Sequence, residues 1–188
     1  CSDINLSEQK AIELERLSLY HEHLFIISGC KEGIVERLVL KELESEALKY
    51  IALFKKMFKD NYYICIQDHH LKMQTFLNER LKALATLQEV KVCASNEVRY
   101  LYPQDALAID LMQASIHGEK IDRNYKVQTN QLYLKDAYEM SLLFDREIIE
   151  NTNDILRRCN VTIETNKMHL PHYPLPENVT SQNYLQQL

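Results

Sequence analysis

The order of its apolar segments constrains this chain more than any single motif. Leu24-Phe25-Ile26-Ile27, Tyr62 to Ile66 and Val90 to Ala94 are short runs rich in β-branched and aromatic residues, the composition of strands. Longer stretches of helical rhythm separate them. Between Lys31 and Lys59, Ile34, Leu38, Leu48, Ile51, Phe54 and Phe58 recur near a helical period among lysines and glutamates suited to a solvated face. This predicts one or two helices there, and Met73 to Leu87 predicts another. Strand, helix, strand, helix, strand is the pattern of right-handed crossovers and a largely parallel α/β sheet or barrel. At 188 residues and 46% hydrophobic, the chain has the material for one such core.

Beyond the third strand the pattern turns helical. Pro103 suits a helix first turn, Ala106, Ile109, Leu111, Met112 and Ile116 continue it, and Gly118 closes it. More helix is predicted from Tyr138 to Cys159. Three of the four prolines fall within Leu170–Pro176, which cannot continue a helix and marks an extended connection between structural units. Thr180 or Ser181 is then placed to cap a last helix containing Tyr184 and Leu185.

Several function classes are disfavoured at once. The net charge of −5 argues against a chain that grips DNA by itself, because non-specific affinity comes from lysine and arginine neutralising phosphates. The apolar runs fall well short of the roughly 18 residues of a membrane span. Cys1 to Lys10 is polar and has no initiator methionine, which predicts a chain that begins within a longer protein. Cysteines 1, 30, 65, 93 and 159 are odd in number and widely spaced, as in a reducing cytosol. With only three glycines, a phosphate-cradling loop is disfavoured, and no GxSxG, HExxH or DxD motif occurs.

The candidates for chemistry are few. His21-x-His23 has the residue types of a metal pair, but it lies in a polar stretch before a strand, where solvated histidines are the better reading. His69, with Asp68 and His70, follows the second strand, at the end of a barrel strand where chemistry usually sits. Adjacent histidines on a strand point to opposite faces, so the two cannot easily share one metal. Cys30 ends the first strand and Asn96-Glu97-Val98-Arg99 follows the third, so both are expected at one barrel mouth. The plain reading of Cys30 is a small buried hydrophobe. The stripe Tyr133, Tyr138, Leu142, Leu143 and Phe144 reads as core rather than as a base-stacking surface.

Three of these segments carry a family resemblance. Phe25-Ile26-Ile27-Ser28-Gly29-Cys30, Tyr62 to His69, and Ala94-Ser95-Asn96-Glu97-Val98-Arg99-Tyr100-Leu101 resemble the bacterial DNA polymerase III alpha subunits in order and spacing. So do Pro103-Gln104-Asp105-Ala106, Gln131 to Lys135, Glu150-Asn151-Thr152, Arg158-Cys159-Asn160-Val161 and His169-Leu170-Pro171. The resemblance covers nearly everything from Tyr20 onward.

It implies that residues 1–165 are the later portion of a polymerase-and-histidinol-phosphatase domain, a distorted β/α barrel, and that 166–188 are the linker and the start of the palm region. In family members whose barrel binds metals, the early half supplies a His-x-His motif, and His21-x-His23 is not in that place. The later half contributes a cysteine, matched by Cys30, and an Asp-x-His pair, which here reads Glu97 and Arg99. Glutamate can ligate a metal, whereas a guanidinium has no lone pair to give. The resemblance thus implies vestigial ligand positions at Cys30, Glu97 and Arg99, with His69 a secondary candidate.

It implies no catalytic residue and no cofactor in this chain, with magnesium expected for the parent polymerase, whose carboxylates lie beyond Leu188. The implied partners are the rest of the polymerase subunit, replisome proteins and, through that subunit, DNA, all in the cytoplasm. The alternative is a free-standing metal-dependent phosphoesterase of the same superfamily, using metal-activated water. Arg99 weighs against it, and the Leu170–Pro176 linker favours the polymerase reading.

From the charge follows a first prediction. The isolated chain should bind duplex DNA only weakly at physiological salt. Titration of labelled duplex tests this, and submicromolar affinity that persists at that salt would reveal a basic face the sequence hides.

Overall fold

The computed structural model describes residues 13–118, 120, 125–165, 175 and 181–187. Its contacts divide the chain into two compact units, one ending at Arg158 and the other running from Cys159 to Leu188. In the first unit, α1 (Leu14–Leu19) precedes β1 (Ile26–Ile27), α2 (Ile34–Leu40), α3 (Glu44–Phe58), β2 (Tyr62–Ile66), α4 (Lys72–Leu87) and β3 (Lys91–Ala94). α5 (Ala106–His117), α6 (Ala137–Leu143) and α7 (Arg146–Arg158) follow. The described part of the second unit contains α8 (Ser181–Gln187). The expected linker at Leu170–Pro176 lies outside the described residues except for Leu175, as does the Thr180 cap.

The three strands form one parallel sheet in the order β1-β2-β3. Ile26 and Ile27 stand opposite Tyr62 and Tyr63, and Tyr63 to Ile66 stand opposite Lys91 to Ala94. All five residues of β2 are buried, as a strand covered on both faces requires. Tyr62, Ile64 and Ile66 join the larger core with Val35, Ile51, Leu77, Leu81 and Leu84 from α2, α3 and α4. On the other face Tyr63 and Cys65 meet Cys93 and Ile155, with Phe25 and Cys30 beside them. Burying one such aliphatic side chain contributes about 1.5–3 kcal/mol.

The first strand differs from expectation. Leu24 to Ile27 reads as a buried strand, yet only Ile26 and Ile27 pair, and Leu24 and Ile27 are 42% and 47% exposed. β1 is an edge strand, so one side of it has no neighbour among the described residues. Ser28 extends the pairing beyond the strand: its N–H donates to Tyr63 O (2.9 Å), and its hydroxyl accepts from Cys65 N (2.8 Å).

The helical stretch expected from Tyr138 to Cys159 is helical and divides into two helices. Phe144 is extended (φ −131°, ψ 146°) and buried, and the backbone N–H groups of Ile148 and Ile149 both donate to Asp145 O, which starts α7 afresh. α6 opens on a reciprocal cap, with Glu139 N donating to Asp136 Oδ1 (2.8 Å) and Asp136 N donating to Glu139 Oε2 (2.9 Å). Of the aromatic stripe, Phe144 is core and Leu143 packs against it, but Tyr138 and Leu142 are 70% and 68% exposed. Only Phe144 and Asp145 separate the two helices, and the apolar spacing runs across them, so spacing alone does not reveal the break. At the other end of the sequence prediction, α5 begins after a turn at Pro103 and ends at Gly118, whose φ of 68° is the left-handed cap that glycine favours.

The restart at Asp145 sends α7 along the free edge of β3, where its side chains take the place of a fourth strand. Ala94 N donates to Thr152 Oγ1 (3.0 Å), Thr152 Oγ1 lies 3.1 Å from Ala94 O, and Asn151 Nδ2 donates to Val92 O (2.9 Å). Edge groups left without partners away from water are costly. Thr152→Val, which keeps the shape and removes the hydroxyl, should therefore destabilise the chain by about 1–3 kcal/mol. Leu156→Ala, at a side chain that is 74% exposed on the same helix, should stay within about 0.5 kcal/mol. Urea unfolding of both measures the contrast, and equal effects would mean that the edge bonds contribute nothing.

Candidate functional site

The carboxyl ends of the three strands open into a cleft of about 530 Å³, lined in part by Cys30, Cys65, Gln67, Ser95, Glu97 and Arg99. The structure thus brings together the three residues that the sequence singled out after β1 and β3. Each arrives by a different local route. Cys30 takes a left-handed backbone (φ 51°), uncommon for a residue with a Cβ, in the turn between β1 and α2. Ser95 continues β3, its N–H donating to Ile66 O (3.1 Å). Arg99 is fixed by its own backbone N–H, which donates to Leu132 O (2.8 Å).

Ser95 is the hub of the inner wall. Its hydroxyl lies 3.1 Å from Cys65 Sγ and 3.8 Å from Cys30 Sγ, and it accepts from Gln67 Nε2 at 3.1 Å. The neighbouring Cys65 thiol and burial push the Cys30 thiol far above the ordinary thiol range. For Cys65, contact with Cys30 acts downward, but the Cys93 thiol and burial outweigh it and lift the group to about 12. Both are neutral thiols at physiological pH, and the thiolate is the form that attacks or ligates.

On the outer wall Arg99 Nε donates to Glu97 Oε1 at 2.8 Å, and Arg99 Nη2 contacts the same oxygen. The guanidinium therefore already occupies one oxygen of the carboxylate that a cation would need. Solvent reaches both side chains, so the pair adds little stability. Among the described residues, no group of three or more His, Cys, Asp or Glu is arranged to hold a metal ion.

His69 stands apart from this cleft. It lies in the loop after β2 rather than on a strand, and the loop sends it inward and His70 outward, with His70 at a left-handed φ of 57°. The His69 backbone N–H donates to Gln74 Oε1 (2.9 Å), and its Nδ1 is 2.9 Å from Gln74 Nε2, while its buried Nε2 meets no hydrogen-bond partner among the described residues. Burial lowers its pKa, the Glu97 charge opposes this, and the Lys135 charge reinforces it. His21 and His23 do not join either group. His21 meets the Phe58 ring edge-on at 6.2 Å with its Nδ1 2.7 Å from Ser18 O, and His23 is an exposed turn residue.

Sequence reasoning missed the strap that holds this end of the sheet. Thr129 Oγ1 donates to His69 O (2.7 Å), Asn96 Nδ2 to Tyr133 O (2.7 Å) and Leu134 N to Tyr100 O (3.0 Å). Lys135 is buried over the Tyr133 ring, 4.4 Å from its centroid, with Nζ donating to Gln131 O and lying 3.5 Å from Asn96 Oδ1. The alternation Gln131, Tyr133, Lys135 is the only signal of this extended segment, and it is too short to distinguish from a loop.

A parallel α/β sheet with its cleft at the carboxyl ends of the strands defines a broad class of proteins, and comparison with known sequences narrows it. No protein-family model matches the chain. The DNA polymerase III subunit alpha of Borreliella burgdorferi is 34% identical over 94% of this chain, and that of Treponema pallidum is 32% identical over 92%. That of Pseudomonas fluorescens is 30% identical over 94%. The chain covers only 15–16% of the length of these three relatives. It is a relative of the bacterial DNA polymerase III alpha subunits and corresponds to a segment of them.

The buried histidine supplies a prediction with a definite sign. Because the native pKa of His69 is depressed, the unfolded chain takes up that proton first as pH falls. Its contribution is therefore fully present above the unfolded value of about 6.5 and is lost as pH falls below it. Urea melts between pH 8 and pH 5 should show this loss, and His69→Gln should flatten that part of the curve. An unchanged slope would place the titration on another group.

Proposed function

We propose that this chain is a scaffold segment of a DNA-directed DNA polymerase, the alpha subunit of a bacterial polymerase III that copies the chromosome in the cytoplasm. The observation that carries this reading is similarity over more than nine-tenths of the chain to a segment of subunits of that name. In this reading the sheet is the later portion of a polymerase-and-histidinol-phosphatase barrel, residues 1–165, and 166–188 lead toward the palm. Its work is mechanical: it braces the palm and offers surface to other replisome proteins, while DNA is held by other parts of the subunit. Magnesium serves the polymerase carboxylates, outside this chain.

The strand-end cleft does not suit a resident metal ion. Its donors are one carboxylate already paired with Arg99 and two thiols held neutral by burial and by each other. A zinc site built on protein ligands needs at least three donors placed around the ion, and among the described residues these are not so arranged. We therefore derive no hydrolytic step here. The cleft is a former metal site in which Arg99 has taken over the charge a cation would supply.

The test belongs in the complete subunit. A Glu97→Asp, Arg99→His double variant should retain more zinc or manganese than the wild type after extensive dialysis, if ligands from the rest of the subunit reach the cleft. Primer extension by the subunit carrying Cys30→Ala or Glu97→Gln should stay within about twofold of wild type, since neither residue touches the polymerase reaction. Stoichiometric metal bound through Glu97 in the wild type would overturn the reading of the cleft, and a subunit unable to extend primers would overturn the polymerase assignment.

A further inference from the structure

α5 is built the opposite way round from α3 and α4. Those helices turn Ile51, Phe58, Leu77 and Leu81 into the core, whereas the residues that α5 buries are two of the smallest, Ala106 and Ala114. Its large apolar side chains face out. Leu107, Leu111, Met112 and Ile116 are 46%, 47%, 59% and 70% exposed. With the exposed Ala108 and Ser115 they form two neighbouring rows at a spacing of four residues, Leu107, Leu111, Ser115 and Ala108, Met112, Ile116.

Single exposed apolar residues are ordinary on a protein surface, but a contiguous flank of them marks a place of contact. Neither row carries a charge. The titratable residues of α5 are Asp110 and His117, and Asp110 belongs to the inward row with Ala106 and Ala114. Its carboxylate already accepts from the Tyr125 hydroxyl at 2.8 Å. The outward flank therefore offers a partner hydrocarbon and one hydroxyl.

That chemistry narrows what can cover it. DNA is a poor fit, because α5 has no lysine or arginine to meet a phosphate. A membrane surface is a poor fit for the same reason, since helices that lie on one carry basic residues on their polar face. Contacts that open and close keep a polar surface on each partner, whereas permanent ones resemble a core cut in two. The two rows are of the second kind. A permanent cover needs polypeptide that is always at hand, and this chain corresponds to only 15–16% of the length of three of its relatives. Rows at a spacing of four are also the ridges that pack into the grooves of another helix, and Ala108 and Ser115 leave room for it to approach.

We propose that the outward flank of α5 is the surface on which another part of the same polypeptide is permanently seated, through an apolar helix laid across the two rows. The proposal rests on the reading of this chain as a segment of a longer subunit, and it names the face by which the segment is held there. A second copy of the chain and a separate replisome protein are the competing occupants.

Met112 supplies the test in the complete subunit, purified alone. Hydrogen peroxide converts an accessible methionine to its sulfoxide, and peptide mass spectrometry gives the rate at that residue. At both nanomolar and micromolar protein, Met112 should react about tenfold or more slowly than in the same subunit unfolded in urea. Leu111→Asp places a charge within the rows and should speed the reaction toward the unfolded rate, whereas Gln113→Asp, outside both rows, should not. The wild-type rates need no variant, so the test stands even if Leu111→Asp fails to fold. A native rate within about twofold of the unfolded one overturns the proposal. So does protection seen only at micromolar protein, which assigns the face to a second copy, or only after another replisome protein is added. Primer extension by the same preparation reads the polymerase assignment separately: extension with Met112 open sinks this proposal alone, and Met112 protected without extension sinks that assignment alone.

Discussion

The unit that ends at Arg158 depends on covering β2 from both sides. Five consecutive buried residues put two aromatic rings, two isoleucines and a thiol out of water within one short strand. One face is closed by α2, α3 and α4, which is why those helices present their apolar residues to the same place. The other face cannot be closed by a helix from the same run. It waits for Ile155, which arrives from α7 more than eighty residues later in the sequence. Non-local closure of this kind costs loop entropy before it returns any burial, so the second face is expected to form late in folding.

How much of this was legible depended on the range over which the signal acts. β2 spans the predicted Tyr62 to Ile66, and α4 and β3 lie within a residue of their predicted starts, because a buried strand or an amphipathic helix writes its own periodicity. Gly118 ended α5 as expected for the same local reason. β1 was misjudged because Leu24 to Ile27 is apolar enough for a central strand, and nothing local states whether a neighbour stands beside it. The two-helix break at Phe144 was missed because apolar spacing runs across it, while the determinant, two N–H groups sharing Asp145 O, is a matter of backbone geometry.

The cleft shows the same division. That Cys30, Glu97 and Arg99 share one opening follows from parallel strands, whose carboxyl ends all emerge on one side, so topology alone was enough. Their electrical state was not legible. Whether a thiol is neutral depends on a serine thirty residues away and on a cysteine across the ladder. The inward turn of His69 depends on Gln74 meeting both its backbone and its ring. In such a site, the residue type suggests a function and the second layer of contacts determines whether that function is available.

The side chains of Asn151 and Thr152 give the sheet a direction. With those two residues occupying the outer rim of β3, that border is finished, whereas the border beside β1 carries backbone groups that no helix engages among the described residues. Any additional strand must join beside Ile26 and Ile27, in the order set there. A change of length is therefore tolerable upstream of the first strand and intolerable in α7, where inserting one residue before Asn151 would rotate both polar side chains away from the ladder by about 100°.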